Sequence, residues 1–268
     1  MKAIDAGPIL LVEDNAVNQR VTIAMLENLG FHVDIAADGI DAVNAAAMVP
    51  YQAILMDCQL PRMDGFQATT EIRRWCGASR ATPIIAVTSA DKDSDRRRCI
   101  EAGMDDYLSK PITQRALADV LARWAPDASI PETVTILDEP VVLDLAEPVA
   151  ILDVLDPEVV ERLERLGAAA GEDLMGQLTI LFLADADDRV LELTSALAGA
   201  DAGAVFRSAH AFTGASANIG ASDLARLCTK LAARGEAREL GDGDALLAAI
   251  EAELRRVRST LESRSLTP

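Results

Sequence analysis

Over its first 125 residues the chain repeats one pattern five times: a strand-length stretch, a break, then apolar residues recurring at helical spacing. The strand-length pieces are Ile9–Val12, His32–Ala36, Gln52–Met56, Pro83–Val87 and Asp106–Leu108. After the first, Asn15 is a candidate helix N-cap. Val17, Val21, Ala24, Met25 and Leu29 then keep helical spacing until Gly30 stops it. Asp38–Met48, Asp64–Trp75, Asp93–Glu101 and Thr113–Trp124 supply the other helices, with Phe66, Ile72 and Trp75 as expected core positions. Alternation of this kind predicts an α/β domain, a parallel sheet covered on both faces. Right-handed crossovers leave few topologies, and five strands suit the doubly wound order 2-1-3-4-5.

In such a sheet the site lies outside the carboxyl ends of the strands. The residues at those ends are Glu13 and Asp14, Asp57, Thr88 and Lys110. Singly, each has a bland explanation. Glu13-Asp14 reads as an acidic helix start, Thr88 as a strand-end hydroxyl on backbone, and Lys110 as a solvated loop lysine. Together they bring three carboxylates, one hydroxyl and one ammonium to one edge. Asp57 stands out: an apolar run too short for a helix delivers it, and Pro61 and Asp64-Gly65 turn the chain directly afterwards. Clustered carboxylates repel, and a hard divalent cation relieves the repulsion. Mg²⁺ suits a site of few protein ligands completed by water and a phosphoryl oxygen.

Four motifs here carry a family resemblance. They are Leu11-Val12-Glu13-Asp14-Asn15; Met56-Asp57 with Leu60-Pro61-x-Met63-Asp64-Gly65; Val87-Thr88-Ser89-Ala90; and Tyr107-Leu108-Ser109-Lys110-Pro111. In this order and spacing, residues 8–125 resemble a receiver domain of two-component signalling. The resemblance implies a flavodoxin-like fold. It implies that Asp14, Asp57 and the backbone carbonyl of Gln59 ligate Mg²⁺ directly, with Glu13 acting mostly through water. Asp57 is then a carboxylate nucleophile that becomes an aspartyl phosphate. Lys110 and the metal neutralise the transferred group, and Thr88 bonds a phosphoryl oxygen. Tyr107 would rotate inward as Thr88 shifts, biasing the face around the last two strands.

Between 126 and 155 the pattern stops. The segment holds seven acidic residues, no basic residue and no glycine. Prolines punctuate apolar pieces that repeat loosely as Ile136-Leu137-Asp138, Val142-Leu143-Asp144 and Ile151-Leu152-Asp153. This composition predicts an extended acidic linker, with docking on a domain surface or on a partner's sheet edge as the other reading. It separates a domain at 1–125 from one at 156–268.

The second domain predicts an antiparallel helical bundle, giving α/β plus all-α overall. Asp156-Pro157-Glu158 starts a helix closed by Gly167. A long helix follows from Glu172 to Leu197, with Leu174, Leu178, Leu181, Leu193 and Leu197 on one stripe. Asp201 caps a third helix to Ile219, Ser222 or Asp223 a fourth to Arg234, and Asp244–Leu261 forms the fifth. In the third, Val205, Ala209, Phe212, Ser216 and Ile219 share one face. His210, Thr213, Gly214 and Ala217 share an adjacent one, so His210 points off the core beside a glycine that leaves room for another protein.

The stretch Ala209-His210-Ala211-Phe212-Thr213-Gly214-Ala215-Ser216 and onward to Ala221 resembles the phosphoacceptor helix of histidine phosphotransfer (HPt) domains. That implies His210 accepts phosphoryl on a ring nitrogen. One departure stands out: where family members commonly carry lysine, three residues after the histidine, this chain has Thr213. The other histidine, His32, reads as structural.

The net charge of −18 argues against a nucleic-acid partner. Arg96-Arg97-Arg98, the sole basic run, follows Asp91, Asp93 and Asp95 and reads as a solvated helix face. Cys58, Cys76, Cys99 and Cys228 are scattered and read as reduced thiols of a cytoplasmic protein. No apolar run is long enough to span a bilayer, so no membrane contact by this chain itself is expected. With no P-loop and no kinase-type glycine-rich loop, the chain is not expected to phosphorylate itself from ATP.

The two resemblances together imply a phosphorelay protein like the C-terminal part of a hybrid sensor kinase, though Met1 and a short leader also fit a free-standing protein. Asp57 would take phosphoryl from a kinase phosphohistidine, and His210 would exchange it with a receiver aspartate. The partners implied are a histidine kinase and receiver or HPt domains. The alternative is a phosphorylation-regulated binding module or scaffold with a weakened HPt domain; a third reading has that domain draining phosphoryl from a receiver.

Overall fold

The structure, a computed structural model, describes residues 7–75, 77–88, 93–125 and 154–265. They fall into two compact units, an α/β unit and a helical unit. The expected linker lies outside the described residues up to residue 153, as do Cys76, Ser89 and Ala90.

In the α/β unit, β1 (Ile9–Val12), β2 (Val33–Ala36), β3 (Ala53–Asp57), β4 (Ile84–Thr88) and β5 (Asp106–Ser109) form one sheet. All pairings are parallel and the order is β2-β1-β3-β4-β5, as the alternation predicts. β1, β3 and β4 are buried along their whole length, which explains why they read as continuous apolar runs. Edge strand β2 alternates less cleanly because Asp34 and Ile35 face solvent. The helices are α1 (Ala16–Asn28), α2 (Gly39–Met48), α3 (Gly65–Trp75), α4 (Asp93–Ala102) and α5 (Gln114–Trp124). Asp38 caps α2, accepting from the Ile40 and Asp41 amides, and Thr113 caps α5. A 3-10 helix at Gly77–Ala81, unmarked by any periodicity, packs against α3.

Ile72 is fully buried and Phe66 packs at the core margin, but Trp75 is 72% exposed, contrary to expectation. It is the last residue of α3, beyond Ile72, the last buried position of that helix, and the Arg74 guanidinium lies 5.8 Å from its ring centroid. In the basic run, Arg97 and Arg98 are exposed as expected, with Arg98 stacked 4.2 Å over the Phe66 ring. His32 is exposed, its carbonyl accepting from the Ile9 amide at 2.8 Å. Cys58, Cys99 and Cys228 are buried thiols outside any disulfide; burial raises the Cys228 thiol above its ordinary range.

The helical unit comprises α6 (Pro157–Ala170), α7 (Leu174–Ala198), α8 (Ala202–Asn218), α9 (Ser222–Ala237) and α10 (Gly243–Ser265). α7 packs on α8, α8 on α9, α9 on α10 and α10 back on α7, with α6 against α7. Successive helices joined by short turns run antiparallel, which gives the expected bundle. Two boundaries differ from expectation. α6 runs through Gly167 and ends at Gly171, whose φ of 72° forms the left-handed cap. Gly167 serves close packing instead: a Cβ there would lie 2.7 Å from the Glu172 carbonyl oxygen and 2.8 Å from Leu174 Cβ. Neither Ser222 nor Asp223 caps α9; the cap is buried Ala221, which makes no side-chain bond. It follows a tight turn at Gly220, whose φ is 82° and whose carbonyl accepts from the Asp156 amide.

Asp173 and Asp201 cap α7 and α8 by accepting from Gly176 and Ala204. Leu174, Leu178 and Leu193 line the bundle core, whereas Leu181 and Leu197 sit at its margin. Phe182 takes the central place instead, its ring 6.1 Å from that of Phe212. Burying an aromatic side chain of this kind stabilises by about 3–5 kcal/mol relative to alanine. Among the described residues, no helix is long and apolar enough to cross a membrane.

Candidate functional site

The strand register alone assembles the first site. Val12 pairs with Met56, Asp57 with Val87, and Thr88 with Ser109. Glu13, Asp57, Thr88 and Lys110 therefore all end at the same level of the sheet. Glu13 and Asp57 are buried and Asp14 half-buried. One carboxylate oxygen from each of Glu13, Asp14 and Asp57 can lie within 4.8 Å of the others.

Lys110 Nζ donates to Glu13 Oε2 and to Asp57 Oδ2, both at 2.7 Å. Burial works against its charge, but Asp57 and then Glu13 outweigh that and hold the ammonium above the ordinary lysine range. One cation against three carboxylates still leaves the cluster negative. The other Asp57 oxygen, Oδ1, accepts from the Gln59 amide at 2.9 Å, which turns the chain back over the carboxylate. The Gln19 side chain bonds the Glu13 carbonyl at 2.6 Å, and Glu13 Oε1 accepts from the Asn15 amide at 3.2 Å. Gly65 closes the turn. A Cβ at this position would lie 2.1 Å from the Asp57 carbonyl oxygen, so no larger residue fits.

The donor set suits a small divalent cation. Three clustered carboxylates are hard oxygen donors of the kind Mg²⁺ takes alongside water. Thr88 is buried at the end of β4, and its carbonyl accepts from the Lys110 amide at 2.7 Å, coupling the two strand ends. Tyr107 pairs with Ala86 in the register and is 39% exposed, so its ring lies outward.

The second site is on α8. Val205, Ala209, Phe212, Ser216 and Ile219 are fully buried, while His210, Thr213, Gly214 and Ala217 are half-buried along the neighbouring face. The His210 ring stacks on Phe206, 5.7 Å between centroids and tilted by 33°. Thr213 Oγ1 donates to the Ala209 carbonyl at 3.0 Å, so this hydroxyl is engaged by its own helix.

Spacing along the sequence did not reveal Asp38, Gly39 and Arg62. Asp38 is buried, caps α2 and pairs with Arg62 of the loop that follows Asp57, while the Gly39 amide bonds the Met63 carbonyl. The one signal beforehand was that the second helix was expected to begin at Asp38.

Residues 9–122 match the response regulator receiver domain family and residues 177–260 the Hpt domain family. Sensor histidine kinase GacS of Pseudomonas protegens is 33% identical over 228 residues, 84% of this chain and 24% of the relative. Sensor protein GacS of Pseudomonas syringae pv. syringae is 32% identical over 259 residues, 93% of this chain and 28% of the relative. The chain thus spans about a quarter of the length of these relatives. Among solved structures, the receiver domain of sensor histidine kinase PA1611 from Pseudomonas aeruginosa, with magnesium coordinated in its active-site cleft, is 50% identical. That likeness covers 45% of this chain and 98% of that one, with a TM-score of 0.43. Residues 9–122 thus belong to the response regulator receiver domain family and residues 177–260, following on the same chain, to the Hpt domain family.

Proposed function

We propose that the chain is a two-station phosphorelay protein, with Asp57 and His210 as its phosphoacceptors. The observation that carries this reading is the convergence of Glu13, Asp14, Asp57, Thr88 and Lys110 on one sheet edge, on the same chain as an Hpt helix presenting His210. An Asp57 oxygen attacks the phosphorus of a phosphohistidine on a kinase or Hpt domain. The new O–P bond forms as the P–N bond breaks, and the donor imidazole leaves. Lys110 leaves its bond to Asp57 to meet the incoming phosphoryl oxygens, and Thr88 offers a hydroxyl to another. Asp14, Asp57 and the Gln59 carbonyl would hold Mg²⁺, with Glu13 acting through water, and the bound ion would supply charge neutralisation for the transferred group. Tyr107, exposed here, follows Thr88 inward. At the second station a His210 ring nitrogen takes phosphoryl from a receiver aspartate and the carboxylate leaves; Gly214, one turn on, leaves room for that receiver.

The test uses acetyl phosphate with Mg²⁺ for the first station and a phosphorylated receiver for the second. Wild type gains hydroxylamine-labile phosphate that Asp57→Asn lacks. Asp57→Asn then gains acid-labile phosphate from the phospho-receiver, and the Asp57→Asn/His210→Gln double variant does not. Label that survives either substitution at its own station contradicts the assignment.

A second reading is favoured by Thr213, which places no cation beside His210. On it the receiver is a phosphorylation-regulated binding module and the Hpt domain is weakened. Asp57 would be labelled while His210 stays bare with every phospho-receiver.

A further inference from the structure

Residues 58–64 join β3 to α3 and carry the Gln59 carbonyl, the one metal ligand proposed above that is backbone. Near the strand the loop is closed by two bonds: the Gln59 amide donates to Asp57 Oδ1 at 2.9 Å, and the Gly65 amide donates to the Cys58 carbonyl at 3.3 Å. Its far side is tied to a different element, the N-terminus of α2.

Three contacts make that tie. The Gly39 amide donates to the Met63 carbonyl at 3.2 Å, at an approach so close that a Cβ on residue 39 would lie 2.4 Å from that oxygen. Arg62 Nη2 contacts Asp38 Oδ2, and Asp41 Oδ2 lies 3.3 Å away. Asp38 divides its work by oxygen. Oδ1 caps α2, accepting from the Ile40 and Asp41 amides at 2.8 and 2.9 Å, and Oδ2 is the one that meets Arg62. The carboxylate is 4% exposed, so its charge is partnered in a place where an unpartnered one would be unfavourable. Arg62 itself has φ 61°, the left-handed region where glycine is the default. An arginine that occupies such a position and reaches a buried carboxylate is placed for its side chain.

We infer that Asp38 and Arg62 form a clamp that positions the loop after Asp57, and with it the Gln59 carbonyl, for divalent-cation binding. They are positioning residues and touch neither the cation nor the phosphoryl group. The inference rests on the cation site proposed above. It assigns α2, which carries none of the site residues, a part in setting metal affinity.

The clamp is tested on the full chain by titrating Mg²⁺ calorimetrically into wild type, Arg62→Gly, Asp38→Asn, Asp41→Asn and the Arg62→Gly/Asp38→Asn double. Arg62→Gly relieves the left-handed backbone, which offsets part of the cost of leaving Asp38 without its cation, and the double variant removes that leftover charge. Asp38→Asn keeps an oxygen for the cap while losing the charge. Each weakens Mg²⁺ binding about tenfold, the low end for residues that support a metal ligand from behind. The double is no weaker than the weaker single, because both remove one interaction. Asp41→Asn, which removes the more distant partner, changes little. Without metal, amide exchange at Gly39 is faster in both single variants, as its bond to Met63 loosens.

A folded Arg62→Gly chain with unchanged Mg²⁺ affinity overturns the clamp, whatever its exchange rates, and so does a double variant whose losses add. Should Asp38→Asn not fold, Arg62→Gly alone decides. Wild type that takes up no Mg²⁺ overturns the cation reading and the clamp together. Wild type that binds, with Arg62→Gly unchanged, overturns the clamp alone.

Discussion

At the scale of single residues, the chemistry depends on how Lys110 divides itself. Its ammonium donates to Asp57 and Glu13, at 2.7 Å from each, and so competes with a cation for the same oxygens. Lys110→Met is therefore expected to bind Mg²⁺ more tightly than wild type while accepting phosphoryl about a hundredfold more slowly. Calorimetry and labelling rates read the two effects separately, and weaker Mg²⁺ binding would contradict the competition. Gly65→Ala is expected to destabilise by about 1–3 kcal/mol, since the added methyl meets the Asp57 carbonyl, and to impair Mg²⁺ binding with it; denaturant unfolding measures the first. Tyr51 gives a pH signature away from the site. Burial, together with its 3.0 Å hydrogen bond to Asp34, pushes the phenol up to about 12 from about 10. A folded-state value raised above the unfolded one means that this stabilisation is complete below about pH 10 and is lost as pH rises toward 12. With Tyr107→Phe removing the other tyrosine, the remaining tyrosinate absorbance should rise near pH 12, and an ordinary transition near 10 would count against the Asp34 contact.

At the scale of elements, much was legible in the sequence and the exceptions have physical causes. The strands read well because β1, β3 and β4 are buried on both faces and must be apolar throughout. The site edge read well because register carries every strand end to the same level. Helix ends read less well. Gly167 resembles a stop, yet it lies inside α6 where the chain packs against Glu172 and Leu174, and the stop is Gly171. The two glycines should therefore respond differently. Gly171→Ala is expected to cost about 1 kcal/mol for its left-handed cap, and Gly167→Ala more, because its methyl meets backbone. Equal losses in thermal unfolding would argue against the close packing. The Asp38–Arg62 pair was hidden for a different reason: it joins α2 to the Asp57 loop through a tertiary contact that no local periodicity records.

At the scale of the whole molecule, the proposed relay pairs a carboxylate and an imidazole on one chain. The receiver holds Asp57 in a buried cluster of opposed charges. The Hpt domain offers an imidazole on a helix face with no lysine at 213. Thr213→Lys is expected to supply a cation one turn from His210 and to raise the level of phosphohistidine reached from a phospho-receiver; an unchanged level would mean that Thr213 is no handicap. The most direct measurement of the central claim is a time course of radiolabelled phosphate at Asp57 and His210 of the full chain, given first a phosphohistidine donor and then a fresh receiver. A relay through both stations gives early label on Asp57, dependent on Mg²⁺ and absent in Asp57→Asn, and label on His210 that the added receiver drains and that His210→Gln abolishes. Label reaching the added receiver at the wild-type rate through His210→Gln, or reaching residues 1–125 in Asp57→Asn, would contradict it.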